Sequence, residues 1–311
     1  MVVPMIATGV LAALLGSGGW EPSPIVGGEP VVGRDWRSTV VIDLGVDLCT
    51  GTLISERIVL TAAHCLQSSP PAELLQVKLG NTRGDPELVL PVERYALHPE
   101  FCNDIFACGD ELHDFAYLEL AEAAPADAVV PRLPTDQATW DAAVYTGAPV
   151  VLVGFGYDEQ LAWGIKRAVE VEIRGFTASG LELFAGGDGK DGCQGDSGGP
   201  AYARLPSGEA LLVGVSSRGI ACGEGGIFGA TPPALCWIGE ELGIAWAPDD
   251  TVCGGCGCID TRPARAEEHG CSVAAGRGPW GGAWGLLLLS AGWWRRRSPV
   301  RRSLVIRAKS E

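Results

Sequence analysis

Basic residues are scarce through most of this chain. Residues 1–258 carry 13 Lys and Arg against 34 Asp and Glu, a balance of −21. That excludes nucleic acid as an expected partner, because phosphate binding needs clustered Lys and Arg. An acidic body suits solubility and draws cationic ligands weakly over long range. Helical periodicity is scarce too. Its best case is 233–244, where Leu235, Trp237, Ile238 and Leu242 are spaced for one apolar face. There is no internal repeat. The apolar run at 5–15 has the length of a secretory signal and is followed by small residues at 16–19, yet no Lys or Arg precedes it.

What is present points to an exported β protein. A chain of 311 residues, 47% apolar and 20% charged, builds one large or two ordinary domains around a real core. Eleven cysteines are many for a cytosolic enzyme and natural for a disulfide-bonded one. From residue 25 to about 247 the sequence reads as short strands separated by Gly, Pro, Asn and Asp. Examples are 39–44, 58–60, 74–79, 150–153 and 210–215, the pattern of a barrel or a sandwich. After Pro248 the composition changes: residues 259–311 hold 10 Lys and Arg against 4 Asp and Glu, a balance of +6.

Three stretches carry chemistry: Thr61-Ala62-Ala63-His64-Cys65, Asp114-Phe115-Ala116-Tyr117-Leu118, and Gly195-Asp196-Ser197-Gly198-Gly199-Pro200. They supply a base, a carboxylate and a nucleophile in the order His, Asp, Ser. A serine hydroxyl attacks a carbonyl well only when a base takes its proton. His64 is the expected base, Asp114 the carboxylate that fixes the imidazole tautomer, and Ser197 the nucleophile. Of the four histidines, only His64 lies in a motif. Asp104 and Asp110 lie near Asp114, but Asp114 alone opens a strand-like alternation.

With Ile25-Val26-Gly27-Gly28 upstream, these motifs resemble the chymotrypsin/trypsin family from about residue 25 to about 247. The resemblance implies an all-β fold of two antiparallel barrels, a C-terminal helix and an active site between the barrels. It implies an oxyanion hole from the N–H groups of Gly195 and Ser197. It places Asp191 at the base of the specificity pocket, with Ser216, Gly219 and Gly226 on its walls, and so implies cleavage after Arg or Lys. It implies that a freed Ile25 ammonium pairs with Asp196, although the bond to be cut, Pro24–Ile25, is not one a trypsin-like enzyme cuts. Disulfides Cys49–Cys65 and Cys193–Cys222 follow from the same resemblance. Proximity suggests Cys102–Cys108, and Cys236 has no evident partner within the protease domain. No cofactor is obligatory. Some family members hold calcium, but 79–87 offers no assignable ligands.

Ser216-Ser217-Arg218-Gly219 departs from the family's Ser-Trp-Gly. Two outcomes stay open: Arg218 turns inward, pairs with Asp191 and blocks the pocket, or it turns outward and Gly219 lines an open one. In the tail, Cys253, Cys256, Cys258 and Cys271 suit disulfides better than zinc. The stretch from Gly270-Cys271-Ser272 through an apolar 285–294 to Arg295-Arg296-Arg297 resembles the C-terminal sorting signals of myxobacterial surface proteins; the other reading is an anchor that stays attached.

The expected division is a signal and propeptide at 1–24, a protease domain at 25–247, a Cys-containing linker at 248–278 and a sorting or anchor segment at 279–311. The expected protein is a secreted or surface-tethered monomeric endopeptidase acting on proteins or peptides. It would touch the membrane only through its C-terminal segment. The rivals are a catalytically silent surface binding protein of the same fold and a serine protease of non-tryptic specificity.

Overall fold

The computed structural model describes residues 25–109, 112–125, 127–128, 131–157, 163–219, 221–246 and 259–262, with the backbone of 304–307. It opens on a two-residue strand, β1 (Glu29–Pro30). Six strands then form a first barrel: β2 (Thr39–Asp43), β3 (Leu48–Leu53), β4 (Ile58–Thr61), β5 (Gln76–Leu79), β6 (Leu88–Leu97) and β7 (Ala116–Leu120). Six more form a second: β8 (Pro149–Gly154), β9 (Arg167–Phe176), β10 (Glu182–Ala185), β11 (Pro200–Arg204), β12 (Ala210–Gly219) and β13 (Gly226–Ala230). All pairings are antiparallel; β6–β7 closes the first barrel and β8–β9 the second. β1 extends the second barrel at β9, and β14 (Leu304–Arg307) pairs with β6.

Side-chain alternation explains the closure. Along β9, Val169, Val171 and Ile173 are buried while Glu170, Glu172 and Arg174 are exposed, the period-2 pattern of a strand with one wet face. Strands β2, β3 and β4 are buried throughout, because the second barrel and the loops cover their outer face. Between the barrels the Tyr202 ring stacks on Trp36 at 4.9 Å. Its hydroxyl shares hydrogen bonds with Ser38 Oγ at 3.1 Å and Thr39 Oγ1 at 3.0 Å, so a buried polar atom is satisfied across the seam.

Three helices are described. α1 (Ile105–Cys108) is a single turn, and α2 (Gln137–Ala143) is capped by Asp136, which accepts from Thr139 N at 2.7 Å. The expected C-terminal helix is α3 (Thr231–Leu242). Prolines stand in its first turn, where their missing N–H costs nothing. It ends at Gly243, whose φ of 66° is the left-handed conformation glycine tolerates. α3 follows the second barrel but buries Ala234, Leu235, Trp237 and Ile238 in the core of the first, with Trp237 5.4 Å from Tyr117. The helix therefore ties the two barrels together.

Segment 259–262 docks on the second barrel. Gln137 Oε1 accepts from Asp260 N at 2.7 Å and Gln137 Nε2 donates to Asp260 O at 3.0 Å, while Thr261 is buried. Disulfides join Cys49–Cys65, Cys102–Cys108 and Cys193–Cys222, and Cys236 is disulfide-bonded as well. The remaining cysteines, residues 1–24 and the sorting signal read at 270–297 lie outside the described residues. Among the described residues no helix is long and apolar enough to cross a membrane.

Candidate active site

The first barrel contributes two side chains. β4 runs into a short 3-10 turn, Ala63–Cys65, which presents His64. The Cys49–Cys65 disulfide ties this turn back to β3. Asp114 stands just before β7 and is 5% exposed. It accepts twice from His64: Oδ1 from the backbone N–H at 2.9 Å, and Oδ2 from Nδ1 at 2.7 Å. A carboxylate only accepts, so Nδ1 carries the proton and the Nε2 lone pair is left to take another. The His64 side chain is one-quarter exposed.

A third donor reaches Asp114 from the second barrel: Ser217 Oγ, 2.6 Å from Oδ2. Sequence reasoning assigned no role to Ser217 and put Ser216 on the pocket wall. In the structure Ser216 bridges by its backbone to Gly198 and Gly199, and its side chain lines a small interior gap with Ile25, Asp196 and Phe228. The β12–β13 register shifts between Ser216 and Arg218, and that irregularity turns Ser217 toward Asp114.

The second barrel contributes Ser197, half-buried in the turn before β11. First-barrel atoms hold this turn: Thr50 N donates to Ser197 O at 2.8 Å, and Thr50 Oγ1 donates to Gly195 O at 2.8 Å. At Gly198 φ is 78°, and a Cβ would sit 2.0 Å from Thr61 Oγ1 and 2.5 Å from Thr50 O. Only glycine lets the nucleophile turn approach the first barrel so closely. Among the described residues neither Gly195 N–H nor Ser197 N–H donates to a backbone oxygen.

Two further carboxylates lie behind the turn. Asp196 is 2% exposed and accepts from Gly156 N at 2.8 Å, from Cys193 N at 2.9 Å and from the Ile25 backbone N–H. Burial pushes its pKa up to about 6, against those three hydrogen bonds. Ile25 is itself buried, and Val26 exchanges backbone hydrogen bonds with Asp191 at 2.6 and 3.2 Å, so the Ile25-Val26 segment braces the Asp191 segment.

Asp191 is also 2% exposed, accepts from the N–H groups of Gly192 and Gly225, and is pushed by burial to about 6. A Cβ at Gly226 would lie 2.9 Å from its Oδ1, and one at Gly219 would lie 3.9 Å from its Oδ2. A side chain at Gly226 would press on the carboxylate, and one at Gly219 would touch it. Cys193–Cys222 joins the two segments that frame it.

Arg218 turns outward. Its Nη1 and Nη2 donate to the two carboxylate oxygens of Glu182, at 2.6 and 2.8 Å. Glu182, at the start of β10, is buried, so the pair satisfies a carboxylate that would otherwise be stranded. Nothing along the chain singles it out, because it lies 36 residues from Arg218 and in no motif.

In the loop between β5 and β6, Arg83 folds across to Asp43 and Glu87 is held by Arg37.

Comparison with known proteins agrees with this geometry. The family model described as Trypsin matches residues 25–238. Tissue-type plasminogen activator of Pongo abelii is 31% identical over 228 residues, 63% of this chain and 39% of that protein. Coagulation factor XII of Sus scrofa is 32% identical over 229 residues, 63% of this chain and 36% of that protein. Chymotrypsin-like elastase family member 1 of Bos taurus is 29% identical over 213 residues, 62% of this chain and 78% of that protein. The alignments thus span well under half of the first two proteins. With the match over residues 25–238 and two closed antiparallel barrels, the chain belongs to the trypsin family of serine proteases.

Proposed function

We propose that this protein is a secreted or surface-held serine endopeptidase that cleaves after Arg or Lys. The observation that carries the reading is the 2.7 Å contact of His64 Nδ1 with a buried Asp114, on the same cleft as a glycine-framed Ser197. Ser197 attacks the scissile carbonyl while His64 Nε2 takes its proton. Asp114, held by Ser217 as well, stabilises the imidazolium. The N–H groups of Gly195 and Ser197 receive the developing oxyanion, each worth about 2.7–4 kcal/mol. His64 then protonates the leaving amine, and water resolves the acyl-enzyme by the same steps in reverse.

Asp191 supports the specificity. A buried carboxylate gains a partner from substrate Arg or Lys and is left unpaired by an apolar side chain. The ion pair of Arg218 with Glu182 favours an open pocket over a blocked one. Cleavage at Pro24–Ile25 by another protease would turn the Ile25 N–H, one of the three donors already on Asp196, into an ammonium. The disulfides favour an oxidising compartment, and the tail's sorting role extends the same reading.

The test uses the chain from Ile25 to its C-terminus, released from a fusion so that Ile25 is free, with Arg, Lys and Phe chromogenic peptides. Arg and Lys cleavage that disappears in Ser197→Ala is expected. Absence of turnover on every peptide by the folded protein would sink the enzyme reading; turnover of Phe alone would sink the specificity.

A further inference from the structure

Strand β12 outruns one of its neighbours. Pairing with β11 ends where Pro200 meets Val215, while β13 follows β12 to Gly219. Among the described residues, 217–219 therefore have a ladder partner on one side only. This stretch begins at Ser217 on Asp114 and ends at Gly219 beside Asp191. A peptide whose cleaved residue enters the Asp191 pocket lays its preceding residues along this edge, where main-chain hydrogen bonds hold it and side chains set preference.

Arg218 sits between those two points. Ser217 turns its side chain in to Asp114, whereas Arg218 turns its own to Glu182 on β10. The Arg218 side chain is 26% exposed and the Glu182 side chain 4% exposed. The pair is neutral overall but oriented, with the anionic side chain buried and the cationic one partly exposed. The two-pronged contact fixes the guanidinium plane, so little side-chain freedom is lost when a substrate meets it.

We propose that Arg218, aligned by Glu182, is a specificity-determining residue that favours Asp or Glu among the substrate residues preceding the cleaved Arg or Lys. The proposal rests on the endopeptidase reading above and names its substrates more closely: sites with an acidic side chain shortly before the basic one.

The test is a set of peptides with Arg at the cleaved position and Ala, Phe, Asp or Glu at each of the three preceding positions. The enzyme is the chain from Ile25 onward. At 0.05 M salt, Asp or Glu at one or more of these positions raises kcat/KM about five- to tenfold over Ala, and the ratio shrinks toward one at 0.5 M salt. The ratio is internal to each protein, so variants compare directly. Glu182→Gln with Arg218→Gln, which leaves no buried carboxylate unpaired, abolishes the acidic preference. Glu182→Gln alone, which strips Arg218 of its counter-ion, increases it. Should the double variant fail to fold by circular dichroism, the single variant decides. Cleavage after Arg with no acidic preference, or a preference that survives the double variant, overturns the proposal and leaves the endopeptidase intact. No cleavage of any peptide overturns both.

Discussion

The two barrels bring their functional groups to the cleft by different means. The first uses packing: His64 and Asp114 stand at the ends of strands whose side chains are nearly all buried, and a disulfide and two hydrogen bonds lock them together. The second uses backbone shape. Ser197, Asp196 and Asp191 lie on turns where Gly195 and Gly198 have positive φ and side chains are excluded by contact with the first barrel. A rigid wall can hold an imidazole, whereas an oxyanion site needs N–H groups aimed into open space. That asks for conformations only glycine adopts cheaply. The difference also shows in electrostatics. Asp114 is surrounded by donors that include two side chains, whereas Asp191 and Asp196 are met by backbone N–H groups and are pushed by burial to about 6.

This contrast can be broken first at Asp114. Asp114→Asn keeps the packing but lets the side-chain amide donate to the imidazole, which favours the wrong tautomer. A fall of about 10⁴-fold in kcat is expected on Arg peptides, with the urea midpoint little changed. A fall below tenfold would mean that Asp114 does not orient His64.

Next comes the glycine argument. Gly198→Ala places a Cβ 2.0 Å from Thr61 Oγ1, whereas Gly208→Ala, at φ 87°, meets nothing within 4 Å. The second substitution costs about 1–2 kcal/mol, the left-handed penalty alone. The first is expected to cost at least about 2 kcal/mol more and to abolish turnover. Equal costs by urea unfolding would show that the barrels do not constrain the nucleophile turn.

A third test concerns the buried carboxylates. Asp191 has a folded pKa of about 6, above its unfolded value, so it binds a proton more tightly when folded. Its stabilising contribution is full below about pH 4 and is lost as pH rises through 6. Asp191→Asn should therefore gain about 2 kcal/mol on the parent between pH 4 and pH 7. Parallel pH profiles of the two urea midpoints would contradict the desolvation argument.

The smallest effect lies at the edge of the second barrel. Gln137→Ala removes both hydrogen bonds to Asp260 and should cost about 1 kcal/mol without changing kcat/KM. A change in kcat/KM would mean that the docked segment 259–262 supports the cleft as well as the barrel.

Much of the candidate site is legible along the chain because chemistry and strand alternation are local. His64, Asp114 and Ser197 each lie within a short motif. The glycines at 195 and 198 declare a strained turn, and the apolar face around Leu235 and Trp237 declares a helix. The wall of the pocket is not legible in this way. Ser216 and Ser217 are identical neighbours, and a register shift in the β12–β13 ladder decides which one reaches Asp114, 103 residues away. Arg218 could equally have turned toward Asp191.

The candidate groups, their order along the chain and the all-β class can be read from adjacent positions, because motif chemistry and two-residue periodicity are local. Tertiary structure alone decided that Ser217 serves Asp114, that Arg218 is drawn to Glu182 and that Gly219 faces Asp191. Each of these depends on which distant strands lie side by side, and a charge buried by one strand must find its partner on another.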